Sequence, residues 1–162
     1  MIDVTFSHGG LTEREQSVVA RGFEQHSQEQ GAPAFDKRRL KWIGTDKGGL
    51  IRAALTAEIL WDWMYLDELW VCRTHRGEGV GKHLVRLAEQ AATSEGLQGV
   101  WLWTQSWQAA GFYSQLGYHE FCQFPNFPEG HQRIGLRKDL SPSADSSTPK
   151  TGTGEQGMAP HP

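Results

Sequence analysis

Cysteine is scarce in this chain. Cys72 and Cys122 are its two, far apart in sequence and in no CxxC or other metal-type spacing. A disulfide framework is therefore excluded, and the thiols read as reduced, small apolar residues. The seven histidines form no HExxH or related pattern, so no metal site is expected. Positive charge is not in surplus either: 16 Lys and Arg face 19 Asp and Glu, a net charge of -3 with a pI near 6.1. That removes the broad electrostatic footprint of a nucleic-acid binder. No apolar run approaches the roughly 20 residues of a membrane span. The start, MIDVTFSHGG, has neither the basic residues nor the apolar stretch of a secretion signal. A cytoplasmic protein without nucleic-acid or membrane partners is the expectation.

What is present fits one domain with a single core: 162 residues, 38% hydrophobic and 22% charged. The stretch Ser141–Pro162 is mostly Ser, Thr, Gly and Pro with almost nothing to bury, and is expected to be a disordered tail after a folded body of residues 1–140. Within that body, IDVTF (Ile2–Phe6) alternates like an opening strand. Thr12 and Glu15 form a capping-box pattern before a helix reaching about Gln30, with Val18, Val19, Gly22 and Phe23 as its apolar stripe. RLKWIGT and GLIRAALTAEIL flank the turn DKGG as a hairpin, and WMYLDELWV follows as a further strand. A helix starts at Val80 and ends at Gly96. GVWLWT (Gly99–Thr104) is apolar on both faces and reads as a central, covered strand. A short helix from about Trp107 to Leu116 precedes a final antiparallel pair, YHEFCQF and QRIGLRKDL, joined by PNFPEG. The alternation implies an α/β layered domain with a mixed sheet flanked by helices.

Between strand and helix stands HRGEGVGKHL (His75–Leu84). Gly77, Gly79 and Gly81 permit backbone geometry closed to other residues and a close ligand approach. The free N–H groups of a helix start, with the helix dipole, favour a phosphate or pyrophosphate, and Arg76 and Lys82 add charge. The plainer alternative is a flexible loop before a helix. Two common phosphate loops fail. GxxxxGK[ST] would need Gly at Arg76 and Ser or Thr at His83, and GxGxxG starting at Gly79 would need Gly at Leu84.

The segment RGEGVG (Arg76–Gly81) resembles the [RQ]-x-x-G-x-[GA] pattern of the GNAT superfamily of acyl-CoA N-acyltransferases, and stands where that family has it, after its fourth strand. LDELWV is similar to the family's strand-four pattern. AAGFYSQLGY (Ala109–Tyr118) resembles its second hallmark, A-x-x-x-Y-x-x-x-G-[FY], with Ala109, Tyr113, Gly117 and Tyr118 in the fixed places. The resemblance covers residues 1–140 and implies a mainly antiparallel mixed sheet with a V-shaped opening between strands four and five. It implies acetyl-CoA as co-substrate, its pyrophosphate on Arg76, Gly77, Glu78, Gly79, Val80, Gly81 and Lys82. The pantetheine arm would then lie along Leu69, Trp70 and Val71.

Transfer to an amine needs an uncharged nucleophile and a donor for the departing thiolate. The resemblance puts Tyr113 in that donor role, near the CoA sulfur; core packing is the plainer role for a tyrosine there. Glu68, then Asp67, are the candidates to orient or deprotonate the amine. Adjacent on a strand, they should point to opposite faces, so at most one should face the acyl centre. Many relatives carry Asn after strand five; here Ser106 stands in that place and Gln108 could supply an amide instead. The acceptor implied is a small-molecule amine, and the acidic, tryptophan-rich WDWMYLDE suggests a cationic, partly flat one; a pocket walled by Trp61, Trp63 and the Phe124–His131 loop would favour that acceptor, and an open trough would favour a peptide. The alternatives are protein or peptide N-acetylation, or a non-catalytic acyl-CoA-binding module. Members of the family are often homodimers, and nothing in the sequence decides this.

Overall fold

A computed structural model describes residues 2–140. The expected disordered tail lies outside these residues. Helix α1 (Glu13–Glu29) begins with the anticipated capping box: the Thr12 hydroxyl accepts from the Glu15 amide, and the Glu15 carboxylate accepts from the Thr12 amide at 2.7 Å. The hairpin β1 (Lys37–Thr45) and β2 (Ile51–Leu60) turns at Asp46, whose Oδ1 accepts from the Gly48 and Leu50 amides. Then follow β3 (Trp63–Val71), a single 3-10 turn (Arg73–His75) and α2 (Val80–Ser94). The chain closes with β4 (Gly99–Gln105), α3 (Ala110–Ser114), β5 (His119–Pro125) and β6 (Gln132–Asp139).

Six strands form one sheet in the order β1-β2-β3-β4-β6-β5. Only β3 and β4 are parallel, because α2 carries the chain back between them. The core lies under α2. Leu84, Val85, Ala88 and Ala92 of that helix pack on Leu55 and Ile59 of β2, Met64 and Leu66 of β3, and Val100 and Leu102 of β4. The period-two burial of β2 and the helical spacing on α2 make these faces meet.

Three expectations need correction. Ile2–Phe6 forms no strand, and Ile2, Val4 and Phe6 are more than four-fifths exposed. An alternating run of five residues can pair only if an edge accepts it, and none does here. The strands expected as the fourth and fifth are therefore β3 and β4. The stripe on α1 is not buried: Val18, Val19 and Phe23 are exposed, and no residue of this helix is buried. The last helix is shorter than expected. The Gln108 side chain instead accepts from the Gln105 amide and the Thr104 hydroxyl, holding Trp107–Gln108 in a turn.

Candidate active site

The glycine turn is shaped by its backbone. Gly77 and Gly79 have φ of 82° and 83°, a left-handed conformation that side chains disfavour. Gly79 is the N-cap of α2 and brings no capping side chain, and the first helical bond is donated by His83 to the Gly79 carbonyl. The amides of Val80, Gly81 and Lys82 are thus left for a partner beyond the helix. Arg76 Nε donates to the Val71 carbonyl at 3.1 Å, tying the loop to the end of β3. Gly81 lies against Phe112 and Val71: a Cβ there would sit 3.5 Å from the Phe112 ring. This packs the start of α2 between β3 and α3.

Beside this turn the sheet opens. β3 and β4 pair from Trp63 with Gly99 to Leu66 with Leu102, and no further. Beyond that point β3, including Leu69, Trp70 and Val71, has its β4-side edge free among the described residues. This is the V-shaped opening, with the glycine turn at its mouth.

A β-bulge lies where the strands part. Thr56 pairs with Glu68 and Ala57 with Leu66, so Asp67 is the extra residue. The bulge interrupts strict alternation. Asp67 and Glu68 are both exposed and both line one open depression of about 420 Å³, with Thr56, Glu58 and Arg39. The expectation that the two acids point to opposite faces is therefore overturned. The Thr56 hydroxyl donates to Glu68 at 3.4 Å. Glu58 is ion-paired with Lys37 and Arg39, which hold its carboxyl below the ordinary range; it is a fixed charge rather than a base.

Tyr113 stands on the helix-covered side, buried in the core cluster and edge-on to Phe112 and Tyr118. Burial pushes its hydroxyl up to about 12, so it stays a neutral O–H donor through the physiological range. Tyr113 and the acid pair stand on opposite sides of the sheet, and the opening is the passage between them. Ser106 and Gln108 are already engaged. The Ser106 hydroxyl accepts from the Gln132 amide at 3.3 Å and lies 3.4 Å from His131 Nδ1. Gln108 uses its carbonyl oxygen within the β4–α3 turn, leaving its amino group.

Trp61 and Trp63 do not wall the opening, so the wall that would have favoured a small acceptor over a peptide is not built from them. Both residues lie at the β2–β3 turn, the closed end of the V. Trp61 is 47% exposed against Phe35, and Arg137 covers Trp63. The aromatic surface beside the opening is built instead by Tyr65, Trp101, Trp103 and Phe121. Ring centroids of Tyr65 and Trp101 are 4.6 Å apart, and those of Trp103 and Phe121 are 5.9 Å apart. GVWLWT is buried on one side only, through Val100, Leu102 and Thr104; its tryptophans face the other way, half-buried. Their alternation with Val100, Leu102 and Thr104 was the available signal.

The model of the acetyltransferase (GNAT) family matches residues 11–118. A blasticidin-S acetyltransferase of Streptomyces morookaense is 33% identical over 112 residues, covering 67% of this chain and 82% of that protein. The crystal structure of an acetyltransferase from Bacillus cereus superposes with a TM-score of 0.71 at 22% identity, covering 83% of this chain and 98% of that one. An aminoglycoside 6'-N-acetyltransferase solved with coenzyme A superposes with a TM-score of 0.59 at 18% identity, over 75% and 81% of the two chains. The family match spans more than half of the chain and contains the glycine turn, the parted strands and Tyr113. The chain belongs to the GNAT acetyltransferase family and is an N-acetyltransferase with acetyl-CoA as its co-substrate.

Proposed function

We propose that this enzyme acetylates a primary amine on a small molecule by direct attack on the thioester. The observation that carries the reading is the parting of β3 and β4 beside the uncapped start of α2. It leaves a strand edge for an amide-bearing arm and backbone donors for a pyrophosphate within one opening. Relatives of this chain bear the names of small-molecule acetyltransferases, for blasticidin S and for aminoglycosides, which supports a small acceptor. Residues Arg76 to Lys82 would hold the pyrophosphate, and Leu69 to Val71 the pantetheine arm.

In this mechanism Glu68 or Asp67 takes up the amine proton, directly or through water, so that nitrogen presents its lone pair. The C–N bond forms, the C–S bond breaks, and sulfur leaves as a thiolate. Tyr113 faces that leaving charge. With its hydroxyl near 12 and a free thiol near 8.5, complete proton transfer to an unperturbed thiolate would be uphill by roughly 5 kcal/mol. Tyr113 therefore acts as a hydrogen-bond donor that stabilises the thiolate, rather than as an acid that must ionise.

The test is an amine screen read by thiol release, with Tyr113→Phe in parallel. The variant is expected to lose roughly 100- to 1000-fold in kcat while acetyl-CoA affinity by calorimetry is unchanged. Full turnover by Tyr113→Phe would remove the tyrosine from the mechanism. Turnover confined to peptide amines would replace the small acceptor.

A further inference from the structure

The strand arginines of this sheet divide into two groups. Arg38, Arg39, Arg52 and Arg137 each pair with a carboxylate, on Glu95, Glu58, Asp46 and Asp139 respectively. Arg133, on β6, has no carboxylate partner among the described residues. Its guanidinium lies over two rings instead, 5.1 Å from the centroid of Trp103 and 5.8 Å from that of Phe127. The aromatic faces hold the fork in place without neutralising it. Its Cα partner across the sheet is Gln105, whose Oε1 is buried and has no hydrogen-bond partner in the structure.

Around this pair the sheet face is graded in charge. Asp67 and Glu68 stand on β3 at one side, and Arg133 on β6 at the other. Tyr65, Trp101 and Trp103 form the floor between. Where β3 and β4 pair, β3 and β6 are two strand spacings apart, roughly 10 Å; Asp67 and Arg133 stand past that stretch, where the strands diverge, so the span between them is longer. The Tyr65 hydroxyl experiences both ends: Asp67 raises it and Arg133 lowers it, on top of the dominant effect of burial. The floor is kept flat by Gly135, where a Cβ would sit 2.8 Å from the Phe121 ring and 3.2 Å from Trp103.

We propose that this face is an acceptor subsite for an amine that also carries a flat ring and a carboxylate, the carboxylate being bound by Arg133. The proposal rests on the acetyl-transfer reading above and narrows its acceptor. The amine is drawn to the Asp67–Glu68 side, the ring stacks on Trp101 and Trp103, and the carboxylate takes the planar fork of Arg133 in two parallel N–H···O bonds. Arg133 is thus a specificity residue, with no part in bond making.

The experiment uses the full chain and two probes that differ in one group, para-aminomethylbenzoate and its primary amide. Binding is read by quenching of tryptophan fluorescence, and transfer by thiol release. The acid is expected to bind about tenfold more tightly than the amide. Arg133→Gln should raise Kd and KM for the acid to the amide's level, with kcat, acetyl-CoA affinity and the amide's constants unchanged. Arg133→Lys should restore only part of the preference, since a point charge replaces a fork. No preference for the acid in the wild type, or equal effects of Arg133→Gln on both probes, would overturn the proposal. The two readings fail separately. Arg133-dependent binding of the acid without transfer to any amine would sink the transfer reading and leave the subsite. Transfer without carboxylate preference would do the reverse.

Discussion

The two faces of the sheet are made by the same strands from different residues. Under α2, β2, β3 and β4 present Leu55, Ile59, Met64, Val100 and Leu102, each no more than 2% exposed. On the other face, β3 and β4 present Tyr65, Trp101 and Trp103, half-buried, with Asp67 on β3 and Arg133 on β6 beside them. The first face holds aliphatic side chains whose value is area removed from water and close packing. The second keeps rings partly wet next to charges, an arrangement suited to a ligand that supplies the missing cover. Stability is thus concentrated on one face and recognition on the other, and the parted strands join them.

Three tests would break or sharpen this contrast. The largest effect is expected at the junction. Gly81→Glu places charge and bulk at the start of α2, beside Phe112 and Val71, and should weaken acetyl-CoA binding by more than about 100-fold in calorimetry. Unchanged affinity would remove the glycine turn from the site. Next comes a matched pair across the sheet. Leu55→Ala should cost about 2–5 kcal/mol in urea unfolding and leave acceptor KM untouched in the folded fraction. Trp103→Ala should cost less stability and raise acceptor KM instead. If both variants lost stability alike, the second face would be ordinary core.

The smallest effect is in alkaline melting. Tyr113 is raised to about 12 in the fold against about 10 in the unfolded chain. Its contribution is therefore intact below pH 10, where both states hold the proton. Above pH 10 the unfolded state releases its proton first, so stability falls with rising pH until the folded group also titrates near 12. Tyr118, raised mainly by burial and further by Glu89, acts in the same direction. The melting temperature of Tyr113→Phe should fall less steeply above pH 10 than that of the wild type. Parallel curves would mean that Tyr113 is not buried as described.

Much of the helix-covered face was legible from spacing. The strand WMYLDELWV, the helix from Val80 and the hairpin around DKGG stand where alternation, helical period and turn residues put them. The capping box at Thr12 was legible too, because its donors and acceptors are local. The same spacing misled at residues 2–6 and on α1, where an apolar pattern exists without a surface that accepts it. Asp67 and Glu68 were expected on opposite faces, and the bulge puts them on one. A bulge is a relation between two strands, and one strand's alternation cannot show it. Trp101, Trp103 and Arg133 were missed as a group because they come from β4 and β6, thirty residues apart in the chain.

By itself the sequence determined the order of elements from the first helix onward, the glycine turn, and a short helix after β4 that carries Tyr113. These follow from backbone sterics and short-range hydrogen bonds, which depend on neighbours in the chain. Only the tertiary structure decided that β3 and β4 part after Leu66, that both acids line one depression, and that Arg133 rests on aromatic rings without a carboxylate. Each of these depends on register, bulge and side-chain contact between segments distant in sequence, where pairing energy and packing choose among arrangements that the local pattern leaves equal.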